Sequence, residues 1–200
     1  MMQVSFDALV AAVKAGKLVS FPTDTVPALA TLPEQGLLIF VAKQRSQDKP
    51  LILMAADLDD LKPFIVGSDR EYEIWQKVIN KYWPGALTLV LPASELVPKA
   101  MVSTQKTIGV RVPNCASARA ILKQTGPLAT TSANLSGQPP LETMEEIEVQ
   151  FPEVLTLARE YKQERQGLGV PSTVVKWTGE NWEILRQGAV EFTDEYNKKL

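Results

Sequence analysis

Apolar residues recur along the chain in two different spacings. In the first, seen over residues 5–15, they lie three and four positions apart, which predicts an amphipathic helix that stops at Gly16. Thr143 and Glu146 have the spacing of a capping box, and Asn114 is the predicted N-cap of another helix. The helix pattern covers residues 5–15, 34–43, 57–64, 69–82, 114–124 and 143–150.

The second spacing consists of short apolar runs bounded by proline, glycine and polar residues, which is typical of buried strands. The last two runs are joined by TGEN and are predicted to pair as a hairpin. The first two flank the helix over 34–43 and are predicted to form a β-α-β unit with it. We therefore expect an α/β fold, with a twisted mixed parallel and antiparallel sheet and helices on its faces. The strand pattern covers residues 17–21, 51–56, 86–91, 107–112, 128–131, 172–177 and 182–186.

The composition is that of an ordinary folded domain. The chain has 200 residues, of which 45% are hydrophobic and 22% are charged, and its formal net charge is -2. This length is enough for one sizeable core, so residues 1–200 are predicted to form a single domain. The slightly acidic balance argues against a protein that coats nucleic acid through bulk charge, so any contact with RNA must be local.

Cysteine usage and hydropathy predict the compartment. Cys115 is the only cysteine, so no disulfide forms within the chain, and its expected role is packing near a helix start. No apolar run approaches the roughly 20 residues that cross a bilayer. The first residues, MMQVSFDALVAAVKAG, lack a basic leader. These features predict a cytoplasmic protein with no membrane partner.

Histidine is absent from the sequence. This absence excludes Ser-His-Asp and Cys-His catalysis, HExxH zinc sites and the two-histidine iron triad. The remaining chemistry must use cations, hydroxyls, amides and carboxylates. Such groups suit transfer reactions at phosphorus, where positioning and charge neutralisation supply most of the rate.

Polar side chains cluster where several predicted strands end. Lys43, Arg45 and Lys49 place three cations in KQRSQDK, directly before a buried strand, where α/β proteins hold phosphates. Arg111 ends another strand, and FPTDTV and TTSANLSG are rich in hydroxyls and amides. Each segment taken alone has a simpler interpretation: a solvated loop, turn and cap chemistry, or, for Arg186, an ordinary strand-edge residue.

Together, in this order and spacing, the segments resemble the YrdC-type threonylcarbamoyl-AMP synthase family. The motifs are FPTDTV, KQR followed by KPL, WPGALT, VRVP, TSANLSG, PSTVV and LRQGAV. The resemblance implies a one-domain α/β fold with a concave basic surface. It also implies condensation of L-threonine, bicarbonate or CO2, and ATP into threonylcarbamoyl-AMP and pyrophosphate. It further implies Mg2+ supplied with ATP, and a separate transferase that uses the adenylate to modify tRNA.

The resemblance also implies roles for individual residues. Asp24 lies in the same turn as Thr25 and is interpreted either as a base or, preferably, as a cap of that turn. No protein metal ligand is implied. Catalysis and phosphate binding fall to Lys43, Arg45 and Lys49, further ATP binding to Thr107, Ser132, Asn134 and Arg186, and threonine binding to Thr25, Arg111 and Ser172.

Three changes from the family pattern lie toward the threonine side, one of which is a stretch from Thr25 to Arg45 that is a few residues shorter than in many relatives. Pro27 and Ala28 stand where the family usually has an aromatic residue and glycine, and Met54 stands where some members have histidine. They leave open an alternative, a noncatalytic relative that binds double-stranded RNA, tRNA or the ribosome through phosphates. A carbamoyl-adenylating module like that of hydrogenase maturation proteins is a third possibility, although those proteins carry cysteine-rich zinc domains. Residues 160–170 are predicted to form a mobile loop.

Overall fold

The computed structural model describes residues 3–46, 50–99, 101, 106–158 and 167–193. The strands are β1 (Gln3–Val4), β2 (Val19–Phe21), β3 (Ala28–Thr31), β4 (Ile52–Met54), β5 (Leu87–Pro92), β6 (Thr107–Arg111), β7 (Leu128–Ser132), β8 (Leu155–Leu157), β9 (Thr173–Trp177) and β10 (Trp182–Arg186). The α-helices are α1 (Phe6–Lys14), α2 (Leu37–Ala42), α3 (Asp69–Tyr82), α4 (Ala116–Thr125) and α5 (Met144–Gln150).

Within the described residues, the ten strands form one sheet in the order β1-β8-β2-β3-β7-β4-β6-β5-β9-β10. The sheet contains parallel pairs, such as β4 with β6 and β5 with β9, as well as antiparallel pairs, such as β3 with β7. The predicted hairpin of β9 and β10 is confirmed, with an irregular register between Ile184 and Arg186. The predicted mixed sheet is therefore confirmed.

Local sequence signals set several helix ends as predicted. Helix α1 begins after Ser5, whose hydroxyl accepts a hydrogen bond from the Ala8 amide at 3.3 Å, and Gly16 follows it with φ +74°. Helix α5 has the predicted capping box of Thr143 and Glu146. Helix α3 has the predicted bounds and a capping box of its own.

The predicted β-α-β unit is wrong in its first strand. Strand β2 is followed by β3, with which it pairs antiparallel, and β3 is the strand that leads into α2 and β4. Strands β3 and β4 both run antiparallel to β7, which lies between them, so they are parallel to each other. The sequence pattern missed β3 because ALAT is short and follows directly on a turn.

Other predicted elements are shorter than expected or missing. The helix predicted over 57–64 is a series of turns that ends in a 3-10 turn, Lys62–Phe64, because Pro63 lacks the amide that a longer helix requires. The predicted N-cap Asn114 is wrong, since α4 begins after Cys115. The two-residue β1 and three-residue β8 were too short to be recognised in the sequence.

The sheet separates two large apolar clusters. Leu53 belongs to the cluster beneath α2 and α3, and its neighbour Met54 belongs to the cluster beneath α1 and α4. Since consecutive strand residues point to opposite faces, the helices cover both faces of the sheet. Cys115 is buried in the second cluster, which fits its predicted packing role. No helix in the described ranges has the length and apolar character to span a membrane.

Candidate functional site

A cavity of about 690 Å³ opens along the sheet. Strands β3 to β7 together with β9 and β10 contribute to its walls, as does the turn that connects β2 to β3. Seven of the ten predicted site residues line it, and they come from segments that are far apart in the sequence. These seven are Thr25, Arg45, Thr107, Arg111, Ser132, Ser172 and Arg186.

The most constrained side chain in the cavity is that of Arg111, at the end of β6. Its Nε donates to the Gly85 carbonyl at 3.0 Å, Nη1 donates to Thr25 Oγ1 at 2.9 Å, and Nη2 donates to Asp24 Oδ1 at 2.6 Å. Burial lowers the pKa of Arg111, and the charge of Asp24 opposes that shift. The buried guanidinium is therefore held by hydrogen bonds at all three of its nitrogens.

The turn before β3 is closed by Thr23 rather than by Asp24. Thr23 Oγ1 accepts from the Thr25 amide at 3.1 Å and donates to the Val26 carbonyl at 2.7 Å. It also lies 3.0 Å from Thr25 Oγ1. The preferred interpretation of Asp24 as a turn cap is thus wrong, because its carboxylate instead pairs with Arg111 across 87 positions of sequence.

Ser172 stands beside Arg186 on the wall formed by β9 and β10. Arg186 Nη2 donates to the Ser172 carbonyl at 2.7 Å, and the Ser172 hydroxyl lies 2.8 Å from Thr88 Oγ1 on β5. Gly188 packs so closely that a Cβ there would lie 2.3 Å from the Pro171 carbonyl oxygen. These contacts bring the predicted nucleotide residue Arg186 next to the predicted threonine residue Ser172.

The KQR segment divides its side chains between the protein interior and the cavity. After α2 and its C-cap Lys43, Gln44 lies in the left-handed region at φ +49°, and the Arg45 amide donates to the Phe40 carbonyl at 2.9 Å. This is the hydrogen-bond pattern of a Schellman motif. As a result Lys43 is fully buried, whereas Arg45 lines the cavity and donates to the Pro50 carbonyl at 3.2 Å.

Lys43 connects the end of α2 to the loop after β7 through hydrogen bonds. Its ammonium donates to the Ser132 carbonyl and, at 3.2 Å, to Asn134 Oδ1, and the Ser136 amide donates to the Lys43 carbonyl at 3.1 Å. Burial, and secondarily the charge of Arg45, lowers the pKa of Lys43 from 10.5 to about 7. Lys43 and Asn134 do not line the cavity, and the predicted phosphate ligand Lys49 lies outside the described residues.

Charge and apolar surface occupy different parts of the cavity. Arg45, Lys176 and Arg186 supply cations along its walls, and Glu183 is the one carboxylate among the described lining residues. The departures Pro27, Ala28 and Met54 also line the cavity and form apolar wall. No cluster of three or more cysteine, aspartate or glutamate side chains that could hold a metal ion is found among residues that the structure describes.

Sequence reasoning missed several polar residues of this site, among them Thr23, Thr88 and Lys176. Thr88 and Lys176 lie within apolar strand patterns, where a single polar residue gives no distinct pattern. Thr23 lies in the FPTDTV motif, and the resemblance implies no role for it. Trp83 lies outside the cavity lining and packs against the apolar core.

Comparison with known sequences gives the family. A family model with the description Telomere recombination, which covers the Sua5, YciO and YrdC proteins, matches residues 11–188. The chain belongs to the Sua5/YciO/YrdC family. The resemblance that the motifs indicated is therefore confirmed.

Two curated members of the Sua5/YciO/YrdC family illustrate the relationship. The threonylcarbamoyl-AMP synthase of Pyrococcus abyssi is 35% identical over 182 residues, which cover 89% of this chain and 52% of that protein. The threonylcarbamoyl-AMP synthase of Vibrio campbellii is 33% identical over 188 residues, which cover 92% of this chain and 99% of that protein. The chain thus spans about half the length of the first relative and nearly all of the second.

Solved structures of the Sua5/YciO/YrdC family agree with the fold. The crystal structure of P. abyssi Sua5 complexed with L-threonine matches with a TM-score of 0.81 and 32% identity, over 92% of this chain and 54% of that one. The expected YrdC-like α/β architecture is therefore confirmed.

Proposed function

We propose that this chain is an L-threonylcarbamoyladenylate synthase that acts in tRNA modification. The observation that carries the proposal is the convergence of Thr25, Arg111 and Ser172 with Arg45 and Arg186 in one cavity. The proposal is supported by the relatives named threonylcarbamoyl-AMP synthase and by the L-threonine complex of P. abyssi Sua5. These relatives favour an enzyme over the noncatalytic RNA-binding alternative.

On the proposed threonine side, Arg111 binds the substrate carboxylate and the hydroxyls of Thr25 and Ser172 supply neutral hydrogen bonds. Three of the five guanidinium N–H groups of Arg111 are used within the protein, which leaves one on each Nη nitrogen for a ligand. A planar guanidinium in a fixed orientation is well suited to a carboxylate.

On the proposed nucleotide side, Arg45, Lys49 and Arg186 neutralise the phosphates of ATP, with Thr107 and Ser132 nearby. Lys43 contributes in two ways: it orients Ser132 and Asn134, and its charge lies beneath their loop. A polyphosphate bound close to Lys43 favours the ammonium form and raises its pKa again.

The proposed chemistry requires no protein nucleophile. The amine of L-threonine adds to CO2 and loses a proton, or condenses with bicarbonate and releases water, to give a carbamate. A carbamate oxygen then attacks the α-phosphorus of ATP. The bond from the α-phosphorus to the bridging oxygen breaks, and pyrophosphate leaves with that oxygen. Cations that face the phosphates stabilise the charge that develops in this step. Mg2+ enters as the Mg-ATP substrate complex, as is usual for phosphate-bound magnesium.

The adenylate formed in this way is a substrate for a separate tRNA threonylcarbamoyl transferase. We place this reaction in the cytoplasm, where tRNA, ATP and bicarbonate are all present. Contact with tRNA or other structured RNA is then secondary to the synthase activity.

A direct assay tests the proposed function. The purified protein is incubated with Mg2+, ATP, bicarbonate and radiolabelled L-threonine, and pyrophosphate and labelled adenylate are measured. We expect both products in equal amounts, and neither when threonine or bicarbonate is omitted. ATP binding without any threonine-dependent pyrophosphate, even at high protein concentration, contradicts the synthase and favours a binding role.

A further inference from the structure

Two arginines of the cavity differ in how their charge is balanced. Arg111 forms a 2.6 Å ion pair with Asp24, and both side chains are nearly buried, with exposures of 5% and 13%. Arg186 donates only to the neutral oxygens of Ser172, and no carboxylate pairs with it among the described residues. Arg111 is thus neutralised within its own chain before a ligand binds, whereas no carboxylate of the described ranges neutralises Arg186.

Asp24 acts from behind the cavity. Arg111 and Thr25 line the cavity and Asp24 does not. The backbone of Asp24 is fixed from the outer side, because its carbonyl accepts a hydrogen bond from the Leu168 amide at 3.2 Å. Gly167 lies against the same turn, so closely that a Cβ there would be 2.3 Å from the Thr25 carbonyl oxygen.

We propose that Asp24 is a positioning residue that reserves Arg111 for a monoanionic carboxylate and leaves polyphosphate to the uncompensated Arg186. This inference rests on the proposed function, in which an amino acid and a nucleotide share one cavity. Both substrates are anionic, and ATP carries the larger charge. Without a counter-charge, Arg111 attracts the polyphosphate as strongly as Arg186 does, and the nucleotide competes with the amino acid.

The ion pair removes this competition without removing the hydrogen bonds. A neutral Asp24–Arg111 pair has little net attraction for a polyanion at a distance, since the two charges cancel. At contact, however, one N–H on each Nη nitrogen is still available to a carboxylate. Asp24 therefore lowers the long-range attraction of Arg111 for anions, but it leaves the directional hydrogen bonds of Arg111 available to a carboxylate.

The experiment measures inorganic pyrophosphate and L-threonine binding by titration calorimetry for Asp24→Asn and for a matched control. The control is Asp59→Asn, because Asp59 also pairs with a cation, Lys62, at 2.7 Å, but on the exposed surface. Both variants lose one negative charge. We expect Asp24→Asn to bind pyrophosphate about tenfold more tightly, as one new charge-assisted contact should allow, and pyrophosphate to compete with L-threonine. Asp59→Asn should match the wild type.

Pyrophosphate affinity that is equal in Asp24→Asn and Asp59→Asn overturns the inference. If Asp24→Asn does not fold, measurements on the wild-type protein alone test the inference. Its affinity for L-threonine should be the same with and without saturating pyrophosphate, and simple competition between the two overturns the inference. Absence of L-threonine binding to the wild type contradicts the proposed function instead, while the tighter pyrophosphate binding of Asp24→Asn still supports the role of Asp24.

Discussion

Two basic residues that are only two positions apart, Lys43 and Arg45, occupy different environments in this protein. Arg45 lines the cavity, and Lys43 is fully buried beneath the loop after β7. Gln44 lies between them in the left-handed backbone region, so the side chains of Lys43 and Arg45 point in different directions. A motif of closely spaced cations is therefore not a uniform phosphate site, and its members require separate tests.

Arg45→Ala is expected to weaken ATP binding by about 1 to 3 kcal/mol, which is typical for the loss of a charge-assisted contact. Lys49→Ala is expected to act in the same way. Titration calorimetry with ATP measures both, and Arg70→Ala, an exposed residue of α3 outside the cavity lining, is the control. An ATP affinity equal to that of Arg70→Ala in both variants shows that neither cation contributes to ATP binding.

Lys43 is expected to make stability rise with pH. Its pKa is lowered from 10.5 to about 7 in the folded protein, so between these values the unfolded chain binds more protons than the folded one. The free energy of unfolding therefore increases as pH rises through this window, by up to about 1.4 kcal/mol per pH unit from this group. Below about pH 7 Lys43 is protonated in both the folded and the unfolded state, so the full free-energy cost of burying its charge lowers the stability of the folded protein.

Urea denaturation of wild type and Lys43→Met over this range measures the effect. The wild type should gain stability relative to Lys43→Met as pH rises. Lys14→Met, at an exposed lysine of α1, should follow the wild type. If the free energy of unfolding depends on pH in the same way for the wild type and Lys43→Met, the pKa of Lys43 is not lowered in the folded protein.

At the scale of elements, the turn before β3 is held from both sides. Arg111 at the end of β6 contacts its side chains, and the 167–169 segment contacts its backbone, where the Gly169 amide donates to the Thr25 carbonyl at 3.1 Å. This segment belongs to the predicted mobile loop over 160–170, of which residues 160–166 lie outside the described ranges. The described part packs directly on the turn.

Gly167→Ala is expected to displace this turn, because the added Cβ would lie 2.3 Å from the Thr25 carbonyl oxygen and 2.7 Å from that of Thr23. We expect weaker L-threonine binding and a loss of about 1 to 3 kcal/mol in the free energy of unfolding, measured by calorimetry and urea denaturation. Gly126→Ala is the control, since its φ of +80° adds backbone strain but no atom lies within 4 Å. Equal threonine affinity in the two variants would show that the turn adapts.

For the whole molecule, the sequence predicted those features that depend on neighbours in the chain. The ends of α1, the capping box of α5, the β9–β10 hairpin and most apolar strands were recognised because their patterns are local. Strand β3 was missed, because four residues directly after a turn show no clear period. The pairing of Asp24 with Arg111 was also missed, because it depends on the order of strands in the sheet, which no local pattern contains.

The three contacts of Arg111 join residues that are 26, 86 and 87 positions apart in the sequence. Contacts of such separation require large loops to close, at an entropic cost that grows with loop length. The guanidinium therefore reaches its final orientation only when the centre of the sheet is complete. A chain in which the centre of the sheet has not formed would therefore lack an ordered amino-acid pocket, whatever cations its local segments already carry.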